Sequence, residues 1–339
     1  DKIDTKKTHI YLNFEFLDAA FISEIEKYCK GNFIYFQIDI IGNLGKTGNW
    51  FSNLNADISE KAKFIHTVTN SICVDASLYQ NAGATIIQEL AYALAHTNEY
   101  LELFGESIAL KIHYVFSIGS NYFFEIAKLR AFRILVEVLF KERGIQHTTI
   151  HIFTKPSLRN KTIFDYNVNM LRTTSECMSA ILGGSDTISN ISYDSIYHKS
   201  NEFGERIARN QLLILKEEAY LSEAHKFANG AYYIENTEKQ FAEKALQLFK
   251  QIEKNGGFLK QLKKGTIQNK ISENAGKQQE LFDQNKLILL GTNKLPSQND
   301  RMKNELQIYP FLKKKNSKTL IVPILQRRLS EQHEQNRLK

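Results

Sequence analysis

The segment Ser71–Ala95, SICVDASLYQNAGATIIQELAYALA, places a short polar loop between an apolar strand and a helix. Enzymes built from (β/α) units put their chemistry in such loops, at the C-terminal ends of strands. Within the loop, Gln80 and Asn81 could hydrogen-bond a carbonyl or an amide. Asn81 has a structural alternative as N-cap of the helix opened by Ala82-Gly83-Ala84. Ser77, Leu78 and Tyr79 add no acid, base or metal ligand of the usual kinds. The nine histidines are scattered, with no HxH or HExxH pattern. His113 and His151 fall inside strands, and His147 and His151 flank one. The three cysteines, Cys29, Cys73 and Cys177, form no CxxC pair. Neither a metal site nor a disulfide framework is expected, and reduced thiols fit a cytoplasmic location. Arg206 and Arg209, three apart, share a helix face. They read as an anion clamp, a subunit contact, or surface ion pairs such as Arg206 with Glu202.

Six segments rich in β-branched and aromatic residues are expected as strands: Thr8–Phe14, Asn32–Ile41, Ser71–Ser77, Lys111–Ser117, Thr148–Thr154 and Asp186–Ser192. Helical periodicity lies between them, over Asp18–Cys29, Ala84–Phe104, Asn121–Lys141 and Asn169–Leu182. Strands alternating with helices mean parallel strands and crossover connections. A nucleotide-binding sheet has little support. The nearest P-loop match, Gly42-Asn43-Leu44-Gly45-Lys46-Thr47, has its glycines two residues too close. Beyond residue 200 the pattern turns helical, with long helices over Glu202–Tyr220 and Glu238–Asn255. Lys286–Leu290 and Thr319–Leu325 are short apolar segments, and Gln326–Lys339 reads as a polar terminal helix or a frayed end. The chain is thus expected as residues 1–200, an α/β unit, and residues 201–339, a helical extension.

The 339 residues carry 42% hydrophobic and 24% charged side chains and a net charge of +7, as in globular proteins. No apolar run reaches the roughly 18–20 residues of a membrane span, and the start shows no signal-peptide pattern. The basicity is local. After residue 250 there are 18 Lys and Arg against 8 Asp and Glu; before it, 26 against 29. The tail lacks the interleaved aromatic residues of single-strand binders. It therefore reads as a surface that covers a partner, with no nucleic acid and no membrane implied.

Several segments, in order, resemble the substrate-binding barrel of the adenosylcobalamin-dependent methylmalonyl-CoA mutases. They are Gln80–Leu94 (QNAGATIIQELAYAL), Phe123–Leu135 (FFEIAKLRAFRIL), Asn169–Gly184 (NMLRTTSECMSAILGG), Phe203–Glu218 (FGERIARNQLLILKEE), and Ala231–Glu235 with Glu253–Gly257. Gly291–Lys294 (GTNK) closes the series. The resemblance implies a (β/α)8 TIM-barrel-type domain that threads the pantetheine of coenzyme A along its axis. It also implies a radical rearrangement that interconverts methylmalonyl-CoA and succinyl-CoA.

The departures from that family carry as much as the match. Leu78 stands where catalytic members have a histidine that contacts substrate and cobalamin. Thr47 falls near the position of an arginine for the substrate carboxylate, and neighbouring Lys46 cannot supply its bidentate fork. Lys155-Pro156-Ser157-Leu158-Arg159 replaces a polar Gln-Thr-Ser-Gly-Trp run. Gln37, Asp39 and Gln80 match family positions, so Gln37, Gln80 and Lys46 are the candidates for a remnant substrate pocket. The cobalamin signature Asp-x-His-x-x-Gly is absent, and Thr8–Phe14 matches the third barrel strand, leaving the first two without counterparts.

A kept framework with a lost site resembles the small subunit of the heterodimeric mutases. The expectation is a non-catalytic subunit paired with a catalytic large subunit that binds the adenosylcobalamin. Arg206 and Arg209 are then candidates for the subunit contact. The alternative is an acyl-CoA mutase subunit that binds substrate itself and uses a separate cobalamin-binding protein.

Overall fold

Each strand alternates between residues that face helices and residues that face the concave side of the sheet, the two-residue period of pleated backbone. The computed structural model describes residues 8–29, 33–146, 149–313 and 318–339. Asn32, His147, Thr148 and Lys314–Lys315 lie outside these residues. The six strands are β1 (Ile10–Asn13), β2 (Ile34–Gln37), β3 (Ile72–Asp75), β4 (Ile112–Ile118), β5 (His151–Pro156) and β6 (Thr187–Ile188). All pairings are parallel: β1 with β2 in one sheet, and β3-β4-β5-β6 in the other. The sheets adjoin where Phe36 N donates to Asn70 O at 3.1 Å.

The helices are α1 (Ala19–Tyr28), α2 (Ile40–Thr47), α3 (Leu54–Ala62), α4 (Ser77–Asn81), α5 (Ile86–Phe104), α6 (Tyr122–Glu142), α7 (Val168–Leu182), α8 (Glu202–Leu213), α9 (Tyr232–Lys254), α10 (Phe258–Lys263), α11 (Thr266–Asp283) and α12 (Glu331–Leu338). No helix among the described residues is long and apolar enough to cross a membrane. Two expectations at helix ends are corrected. Asn81 closes α4 and does not cap α5. Thr85 caps α5 in a reciprocal box with Gln88, because Thr85 is extended and so leaves its hydroxyl facing the Gln88 N–H. The helix expected over Glu202–Tyr220 is α-helical only to Leu213 and continues as a π-helical turn, Ile214–Glu218.

The division at residue 200 separates strands from helices, but packing crosses it. Ala245 and Ile252 of α9, Ile267 and Ile271 of α11, and Ile321 and Ile324 share one apolar core with Leu90, Leu94, Phe116 and Phe132. α9 lies against α5 and α6, joined by Arg130–Glu238 and by Asn98 Nδ2 donating to Glu253 at 3.0 Å.

The expected terminal helix is α12, but it is not frayed. Glu331 and Glu334 are buried, and Arg328 donates to Glu334 Oε1 at 3.0 Å and to Lys161 O at 3.0 Å. The basic tail therefore covers its own chain, because burying these carboxylates requires a cation beside them.

Among the buried ionic centres of this framework, beside Lys161–Glu176 and Arg328–Glu334, two join strand ends to helices. Asp39, just after β2, receives N–H groups from Gly42 (2.7 Å) and Asp75 (3.0 Å) and the hydroxyl of Tyr100 (2.7 Å), with His96 Nε2 at 3.0 Å. Burial alone would raise its pKa. His96 and the hydrogen bonds outweigh burial and hold the carboxyl below its ordinary range. A methyl group on Gly42 would stand 2.4 Å from Asp39 Oδ2, so this cap requires glycine. The second centre places Lys128 of α6 between Glu89 of α5, at 3.0 Å, and Glu125. Burial pushes Glu89 up to about 8, while for Lys128 the two carboxylates outweigh burial and keep it charged.

Gly42→Ala is predicted to displace the Asp39 carboxylate and cost about 1–3 kcal/mol, read as a lower urea midpoint at unchanged slope. Lys128→Met leaves two carboxylates uncompensated and is predicted to cost about 3–5 kcal/mol. Because the pKa of Glu89 is raised on folding, its contribution is fully present below pH 4.5 and declines as pH rises through about 8. Urea titrations across that window are expected to show the decline reduced in Glu89→Gln.

Candidate functional site

The concave face of the sheets is filled with rings. By register, Tyr11 sits beside Tyr35, and Cys73, His113 and His151 form a row across β3–β5. Although β1 and β5 are not paired, Tyr11 Oη lies 2.6 Å from His151 Nε2. Tyr35 Oη lies 3.2 Å from His151 Nδ1, and its ring stacks on that imidazole at 4.2 Å. Tyr11 stacks on Phe153 at 4.2 Å, and Tyr35 meets His113 edge-on at 5.4 Å. His113 is fully buried, and neither of its ring nitrogens has a hydrogen-bond partner among the described residues. Burial pushes His113 down to about 3 and His151 down to about 4. Both are neutral near pH 7.

At the C-terminal strand ends, the loop after β3 folds as α4, and Leu78 is buried within it. Over it runs an extended strap, residues 318–329. Leu320 N donates to Gly48 O (2.9 Å), Ile324 N to Gly45 O (2.7 Å), Arg327 N to Asn81 O (3.2 Å) and Leu329 N to Arg159 O (2.9 Å). A methyl group placed on Gly45 would meet Leu78 Cδ2 at 3.3 Å and Ile324 Cδ1 at 3.5 Å. Leu78, Gly45 and Ile324 thus close an apolar seal at the mouth.

Asn81 bridges three strand ends. Its Nδ2 donates to Ser117 Oγ at 3.0 Å, and its Oδ1 accepts from Leu158 N at 3.0 Å. Ser157 Oγ lies 2.8 Å from Gln80 Oε1, beside a cavity of about 410 Å³. Gln37, at the end of β2, is half-buried, with its Nε2 unpartnered among the described residues. Lys46 is exposed on α2, as is Thr47, whose hydroxyl donates to Asn43 O at 2.8 Å. No hydrogen bond joins Lys46 to Gln80 among the described residues. Arg206 and Arg209 are exposed on α8. Arg206 lies 5.7 Å over the Phe203 ring, and among the described residues neither arginine makes an ion pair, with Glu202 or any other carboxylate.

Two participants in this site escape local sequence reading. Ile324 reads only as an apolar residue in a short segment, since its partner Gly45 is remote along the chain. Asn81 carries the side chain of a helix cap, and only the approach of β4 and β5 makes it a bridge.

The strap covers these strand ends, and Leu78 offers no hydrogen bond there. Among the described residues no group of three His, Cys, Asp or Glu could hold a metal ion.

A family model described as methylmalonyl-CoA mutase matches residues 36–339. The methylmalonyl-CoA mutase small subunit of Porphyromonas gingivalis is 40% identical over 66% of this chain and 38% of its own length. The methylmalonyl-CoA mutase of Rhizobium meliloti is 33% identical over 75% of this chain and 37% of its own length. The large subunit from Propionibacterium freudenreichii subsp. shermanii is 32% identical over 66% of this chain and 32% of its own length. The chain thus spans less than two-fifths of the length of these relatives. With its parallel α/β framework, the chain belongs to the methylmalonyl-CoA mutase family.

Proposed function

We propose that this chain is the substrate-barrel region of a small, non-catalytic subunit of a methylmalonyl-CoA mutase. It works in a heterodimer with a large subunit that holds the adenosylcobalamin and interconverts methylmalonyl-CoA and succinyl-CoA. Its six strands are part of a (β/α)8 barrel. The observation that carries this reading is the sealed mouth: Leu78 packed beneath Ile324 at the strand end where catalysis would need a hydrogen-bonding side chain. The ring-filled concave face supports it, because a substrate chain would have to displace the stacked Tyr11, Tyr35, His151 and Phe153. Gln37 and Gln80 remain as a remnant of the pocket without Lys46.

The subunit contact is assigned to the outer face of α8. There, Arg206 and Arg209 stand exposed beside Phe203, Leu213 and Ile214. Apolar side chains flanked by arginine are typical of protein interfaces.

The full polypeptide, purified alone with adenosylcobalamin, is predicted to give no turnover of methylmalonyl-CoA and no calorimetric signal with CoA esters. Co-expressed with the large subunit, it is predicted to elute as a one-to-one active complex. Turnover or CoA-ester binding by the chain alone would sink the reading. Leu78→His is predicted to leave the chain inactive and less stable by about 1–3 kcal/mol, through an imidazole buried in an apolar seal. Arg206→Glu with Arg209→Glu is predicted to weaken heterodimer formation at least about tenfold, with the melting temperature of the free chain unchanged. Light scattering and calorimetry read the two effects.

A further inference from the structure

Beside the sealed mouth, the cavity of about 410 Å³ opens above β4, within the size range of small-molecule sites. Its walls are mostly apolar, from Ile87, Phe124, Phe241, Leu287, Leu289 and Leu329. Gln80 and Glu125 lie at the polar end with Ser157, Asn160 and Arg159, whose guanidinium is already engaged by Gln278 Oε1 and Arg327 O, each at 2.8 Å. Ser157 Oγ accepts from Arg159 N at 3.1 Å, and its one proton faces two acceptors, Gln80 Oε1 at 2.8 Å and Asn81 Oδ1 at 3.0 Å, of which Gln80 is the nearer. That bond orients the Gln80 amide and leaves its Nε2 donors without a partner among the described residues.

Glu125 is buried, and its Oε2 pairs with Lys128. Its Oε1 makes no hydrogen bond among the described residues. A methyl group on Gly119 would lie 3.0 Å from both Gln80 Nε2 and Glu125 Oε1. The free donor and the free acceptor therefore converge over the one residue with no side chain. Glu125 Oε1 faces the cavity, so a ligand N–H can donate to it there.

We propose that this cavity is a binding site for a small neutral carboxamide with an apolar body. The ligand carbonyl accepts from Gln80 Nε2, its N–H donates to Glu125 Oε1, and its apolar part lies against Phe124, Phe241 and Leu287. A carboxylate of the same shape is rejected, because its second oxygen would face Glu125. The cavity lies apart from the ring-filled concave face, and the assignment does not rest on the mutase reading.

Calorimetric or NMR titration of the full polypeptide with phenylacetamide and with phenylacetate tests this. Phenylacetamide is expected to bind saturably, and phenylacetate at least about tenfold more weakly. Gln80→Leu and Gly119→Ala are each expected to cost phenylacetamide binding at least about tenfold while the melting temperature holds within a few degrees. If Gly119→Ala fails to fold, Gln80→Leu alone decides the point. No saturable binding of phenylacetamide up to about 10 mM, equal binding of amide and acid, or binding that survives Gln80→Leu unchanged would overturn the proposal.

Discussion

A single buried carboxylate ties the upper rim of this fold together. Asp39 leaves β2, caps α2 through Gly42, receives the N–H of Asp75 at the end of β3, and meets Tyr100 and His96 from α5. Three stretches distant in sequence, the β2–α2 corner, the end of β3 and α5, are fixed to one another by two oxygen atoms. A carboxylate in an interior is tolerated only when its acceptor positions are filled, and here they are filled by groups whose positions the fold itself sets. His96 is held in turn by the Tyr79 hydroxyl at 2.9 Å. The network therefore extends into α4, the turn that carries Leu78.

That rigidity is independent of catalysis. The Asp39 centre and the Lys128–Glu89–Glu125 cluster form a scaffold able to hold reacting groups at the strand ends, yet the positions they present are filled with apolar packing. Leu78, Ile324 and the stacked rings of Tyr11, Tyr35 and Phe153 exclude water where a catalytic site would need polar groups. Filling such a site removes the strain and exposed polarity that catalytic centres carry, and stability often rises as a result.

Much of this framework was legible in the sequence. All six strands lie within or beside their expected segments, because β-branched runs alternating with amphipathic helices admit little but a parallel arrangement. The short α2 and α3 were not legible. In Gln37–Trp50 three glycines and scattered apolar residues conceal a helix whose start depends on the Asp39 cap. The long α11, with its apolar stripe reduced to Ile267, Ile271 and Phe282, carries too weak a period to stand out. At the site, Leu78 was visible as a departure, since one residue type at a matched position decides it. The strap was not, because its meaning resides in backbone hydrogen bonds to Gly45, Gly48, Asn81 and Arg159. Backbone groups are the same in every sequence. The exposed position of Lys46 was equally hidden, since it depends on how α2 is rotated.

The strap also constrains the order in which the chain assembles. Its bonds join Leu320 to Gly48 and Ile324 to Gly45, across nearly the full span of the polypeptide. Such closures carry the largest loop entropy and contribute only once the surfaces they join exist. β2, β3, β5 and their helices must therefore dock first, and the strap settles last, as a latch. A chain whose strap has not closed lacks the cover that Ile324 gives to Gly45 and Leu78. A newly made chain is in that state when a chaperone, or a partner subunit, has its best opportunity to engage it.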